Sequence, residues 1–67
     1  MVRVVFVVNV EVLRENEFHV VARVELREPV WYSDRVMRQA VREQHRELWE
    51  RELRGRSWDM TVVEWND

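Results

Sequence analysis

Every even position from Val2 to Val12 is apolar: Val2, Val4, Phe6, Val8, Val10 and Val12. A period of two sustained over that length is the pattern of a strand with one face against a core. The odd positions read Arg3, Val5, Val7, Asn9, Glu11 and Leu13, so the second face is apolar in part as well. A strand of this kind is best covered at the centre of a sheet.

A second strand is expected from about Phe18 to Arg27. Phe18, Val20, Ala22, Val24 and Leu26 would face inward, and His19, Arg23, Glu25 and Arg27 outward, with Val21 the exception. Superposing the two apolar faces calls for a three-residue loop, Arg14-Glu15-Asn16. That loop pairs Val12 with Phe18, Val10 with Val20, Val8 with Ala22 and Phe6 with Val24, and puts Asn16 at its left-handed position. A two-residue loop would set apolar residues against polar ones.

Pro29 ends the hairpin. Ser33 has the chemistry of a helix cap, Asp34 places negative charge in the first turn, and Tyr32 and Met37 are spaced as a hydrophobic staple. The helix is predicted to run to about Arg54 and to close at Gly55, with Met37, Ala40, Val41, Gln44 and Leu48 inward and Val36 at the margin. Trp58 to Trp65 reads as a third strand. A right-handed crossover sets the strand order at 2-1-3, a three-stranded antiparallel sheet with one helix on one face, an α+β fold of ββαβ order.

The chain has 67 residues, enough for a single domain spanning 1–67. At this size only roughly 60% of the unfolded surface is buried, and such domains are usually reinforced by disulfides, metal or a partner. Cysteine is absent, which removes disulfides and thiolate sites, and His19 and His45 have no ligand spacing between them. No metal or cofactor is expected, and extra burial points to self-association. The longest apolar run, Val4 to Val8, is too short to cross a bilayer. Met1-Val2-Arg3 lacks the basic start of a signal peptide, so a cytoplasmic location is expected.

Two surfaces are left over in this scheme. On the uncovered sheet face lie Val5, Val7 and Val21, joined by Val63 and Trp65 if Trp58, Met60 and Val62 turn toward the helix. With strand three reversed, Trp58 and Met60 would be exposed instead. Contiguous apolar area of this kind marks an interaction site, here a homodimer interface. The second surface is the outer side of the helix, where Arg35, Arg38, Arg42 and Arg46 form a row extended by Trp49 and Leu53. Trp49 and Leu53 are either covered by an oblique helix or the final strand, or exposed as a docking hot spot.

Arginine rows dock on acidic proteins or track phosphates. Asp34, Glu43, Glu47, Glu50 and Glu52 share the helix, and the net charge is −2, which weighs against nucleic acid. Of catalytic groups, only His45 with Glu52 and Glu11 with His19 are candidate neighbours, and neither pair has a pocket implied around it. The expected function is therefore a non-enzymatic protein-interaction module, a homodimeric regulator, inhibitor or assembly factor that meets a larger protein. A nucleic-acid-binding dimer is the alternative.

Overall fold

The computed structural model describes residues 3–66; Val2, counted in the first predicted strand, lies outside them. The elements follow in the order β1 (Val4–Arg14), β2 (Glu17–Arg27), α1 (Asp34–Gln44), α2 (Arg46–Leu48), a π turn (Trp49–Leu53) and β3 (Trp58–Trp65). The sheet is antiparallel in the order β2-β1-β3, as the patterning requires. No helix among the described residues is long and apolar enough to cross a membrane.

The core forms between the helical segment and one face of the sheet. Val8, Val10 and Val12 of the central strand are fully buried, with Leu26, Val41 and Leu53 closing over them. Met37 and Ala40 are buried on α1, while Val36 and Leu48 pack at the margin. Trp58, Met60 and Val62 turn toward the helix: they pair with Val12, Val10 and Val8, whose side chains lie on that face.

The hairpin corrects the predicted register. The loop has two residues, with Arg14 paired to Glu17, Leu13 to Phe18 and Val12 to His19. Glu15 and Asn16 both have positive φ, 52° and 64°, as the tight turn favoured by twisted hairpins demands. The conflict of faces that this loop creates is resolved at Val21, an extra residue between the pairs Glu11–Val20 and Val10–Ala22. Beyond it Val8 faces Val24 and Phe6 faces Leu26, so the core side is back in phase. Before it, Phe18 and Val20 point away from the helix and stand 50% and 58% exposed, beside Leu13. A bulge changes which face a strand presents, and alternation alone cannot reveal it.

Two further irregularities act the same way, at Val5 against β2 and at Val63 against β3. Val5 is thereby buried, and Trp65 is returned to the helix side of the sheet, paired with Phe6.

The helix is broken where a continuous one was predicted. His45 leaves the helical region (φ −129°, ψ 58°), and the chain resumes in α2 before the wider π turn, in which the Arg54 N–H donates to the Trp49 carbonyl at 2.8 Å. The cause lies at the sheet edge. The Gln44 amide donates to the Arg27 carbonyl (2.8 Å) and accepts the Arg27 N–H (2.7 Å), while His45 Nε2 donates to the Glu25 carbonyl at 2.6 Å. These contacts satisfy the outer backbone of β2, which would otherwise be open to another strand. Ser33 occupies the cap position, although its hydroxyl makes no capping bond, and Gly55 closes the segment at φ +73°. The predicted staple does not form: Met37 is buried, but Tyr32 turns edge-on to Phe6, with ring centroids 5.8 Å apart.

Glu15 is a side-chain-bearing residue held in the left-handed region, a conformation that asparagine tolerates better. Glu15→Asn should stabilise the fold by about 0.5–1 kcal/mol. The thermal midpoint should rise by several degrees; an unchanged or lower midpoint would mean that the turn is relaxed as it stands.

Candidate functional site

The two expected surfaces are dispersed by the bulges and the helix break. Of the sheet-face set, Val5 is in the core, Val21 packs against it, Val7 is half-buried, and only Val63 and Trp65 are exposed. The centre of the uncovered face is polar. Arg23 reaches Glu64 across β1 at 3.9 Å, and the Thr61 hydroxyl donates to Glu11 at 3.1 Å. The expected continuous valine patch is therefore absent from the described face, because each bulge moved one of its members.

The arginine row fares similarly. Arg38 spans from Asp34 (2.8 Å) to Asp59 (3.1 Å), donates to the Trp58 carbonyl (2.9 Å) and lies 4.8 Å from the centroid of the Trp58 ring. It is a clamp between α1 and β3, with its polar face turned inward. Arg42 stacks on Trp49 at 4.4 Å, with Arg54 also near that ring at 5.9 Å. Trp49 is half-buried, and Leu53, expected on the outer side, is 1% exposed because the π turn rotates it toward the sheet. Arg35 sits beside Trp31, and Arg46 lies exposed next to Arg42 and Trp49.

The paired groups considered for chemistry are separated. Glu52 bonds Arg14 at 3.2 Å while His45 holds the Glu25 carbonyl. Glu11 faces Val20 across the hairpin, and His19 faces Val12.

What the fold does assemble is an aromatic groove at the end opposite the hairpin turn. Its floor is Val5, Phe6 and Val30, and its walls are Trp31, Tyr32 and Trp65, with Asn66 at the rim. The open volume is about 600 Å³. Trp31, Tyr32 and Trp65 are 66%, 74% and 63% exposed. Each is placed by a neighbour that is fixed. Val30 is buried and anchors the link between β2 and α1, so Trp31 and Tyr32 project from it. At the end of β3, the Asn66 N–H donates to the Val5 carbonyl and its side-chain amide to the Val4 carbonyl, both at 2.9 Å, which ties down the strand that carries Trp65.

Among the described residues, no charged side chain lines this groove. A trough along the edge of β2 is larger, about 750 Å³, but it is walled by charges of both signs, Arg23, Arg27, Glu25 and Glu28. The groove is the better candidate because tryptophan and tyrosine in a concave apolar setting are the residues that dominate binding energy at protein interfaces. Trp65 was singled out from the sequence, on the wrong face. The sequence reading gives Tyr32 to a staple with Met37 and assigns Trp31 no role. The available signal was two adjacent bulky aromatics in a segment without periodicity, where the two cannot share one buried face.

Comparison with protein families, with curated proteins and with solved structures found no match to this chain.

Leu53→Ala should destabilise the fold by about 2–4 kcal/mol, the range for truncating a buried leucine. Arg38→Ala should remove about 1–2 kcal/mol through its charge-assisted bonds, discounted for partial exposure. Arg46→Ala should change stability by less than about 0.5 kcal/mol. Urea titrations distinguish the three, and a neutral Leu53→Ala would return that residue to the outer face.

Proposed function

We propose that this chain is a non-enzymatic protein-interaction module that docks through the Trp31–Tyr32–Trp65 groove. The observation that carries the reading is the exposure of three large aromatic side chains around one apolar depression whose floor is continuous with the core. Water contact with such a surface is unfavourable, and covering it with a complementary apolar surface recovers that free energy. The groove offers a docking partner shape and apolar area. Among the described residues that line it are no carboxylate, imidazole or guanidinium groups with which to move a proton, so binding fits its chemistry better than turnover. A small regulator, inhibitor or assembly factor would use such a surface.

The nucleic-acid reading rested on a continuous arginine row. Arg38 is engaged by two carboxylates, Arg42 lies against Trp49, and of the remaining exposed pair Arg46 has Glu43 and Glu50 as neighbours while Arg35 sits beside Trp31. Tracking of backbone phosphates therefore has weak support.

Hydroxyl-radical footprinting reads the site directly, since exposed aromatic rings are oxidised rapidly. Trp31, Tyr32 and Trp65 should label readily in dilute purified protein and be protected in an extract of the cells that make it. Measured against the exposed ring of Phe18, labelling of the three rings that stays undiminished in the extract and in concentrated pure protein alike would falsify docking through the groove. Protection confined to peptides containing Arg42, Arg46 and Trp49 would transfer the function to the helix.

A further inference from the structure

Resting on the docking reading, we propose that the occupant of the groove is a second copy of this chain, related by a two-fold axis. The same patch supplies both shapes a self-complementary contact needs. It has a hollow floored by Val5, Phe6 and Val30, and projecting rings beside that hollow, so a ring of one copy can enter the hollow of the other while the reverse contact forms.

The area agrees with that arrangement. Aromatic side chains bury roughly 150–250 Å² each, so three that are about two-thirds exposed offer roughly 300–500 Å² per copy. Two copies thus reach roughly 600–1,000 Å² from the rings alone, at least about a third of a standard interface of 1,200–2,000 Å². A contact of that size is that of a weak dimer whose population depends on concentration.

Charge is consistent with that. No described lining residue is charged, so the groove offers no counter-charge to a strongly acidic or basic partner, and a second copy brings an equally uncharged surface.

Sedimentation velocity on the purified chain, from low to high micromolar concentration, tests this. The mass should rise toward twice 8.4 kDa. Trp31→Ser and Trp65→Ser should each weaken the dimer by at least about thirty-fold, as hot-spot truncations do, with unchanged far-UV circular dichroism. Phe18→Ser, at the other exposed apolar patch, should leave it intact. A mass that stays at one chain throughout overturns the proposal, and so does a dimer broken by Phe18→Ser and indifferent to both tryptophan variants. Footprinting separates this failure from failure of the docking reading. Aromatics protected in extract but not in concentrated pure protein would identify a different protein as the occupant, leaving the groove as the docking site.

Discussion

A sheet with one covered face depends on every strand staying in phase, because successive side chains alternate between the two sides. In this chain phase is broken and restored three times, by single extra residues at Val5, Val21 and Val63. Each interruption decides what is buried. Val5 joins the core, Val21 packs against it and releases Phe18 and Val20 to the other side, and Val63 sends Trp65 across to the helix side. The aromatic groove exists because two of these bulges, at Val5 and Val63, meet at the same end of the central strand.

The second constraint is the backbone of the two edge strands. Unpaired N–H and C=O groups must find partners or invite another strand. On β2 the side chains of Gln44 and His45 serve Arg27 and Glu25; on β3 the Arg38 guanidinium takes the Trp58 carbonyl and the Asp59 carboxylate accepts the Met60 N–H. The helical segment thus covers the core and also guards both edges. Its break at His45 and the π turn that follows are the geometry required to do both, and they bring Leu53 under the sheet. Residues that looked like a recognition surface on an ideal helix were drawn into holding the helix in place.

With the edges partly guarded and the middle of the open face polar, the apolar surface that remains is concentrated at the two ends. Leu13, Phe18 and Val20 lie at the hairpin end, and the aromatic groove at the other. The groove is concave and floored by core residues, whereas the hairpin cluster is spread over a strand face. That difference in shape is why recognition is assigned to the groove.

The strand order, the third strand's limits, the closing glycine and most of the helix's buried stripe were legible in the residues, because alternation, helical spacing and punctuation are local properties. Val8, Val10, Val12, Met37, Ala40 and Val41 are where their periodicity puts them. The sites were not legible to the same degree. A bulge leaves no mark on an apolar run: Val5, Val21 and Val63 are valines among valines, and only the pairing with a neighbouring strand shows which is the extra residue. Likewise Gln44 and His45 are ordinary helix-face residues until the edge of β2 arrives beside them. Alternation, helical spacing and punctuation along the chain are enough to specify two long strands, a helix and a third strand in a sheet around the valines of β1. Which faces those strands present depends on how they pair in three dimensions. Face and exposure are set by partners distant in the chain, through hydrogen bonds that a single strand or helix cannot make alone.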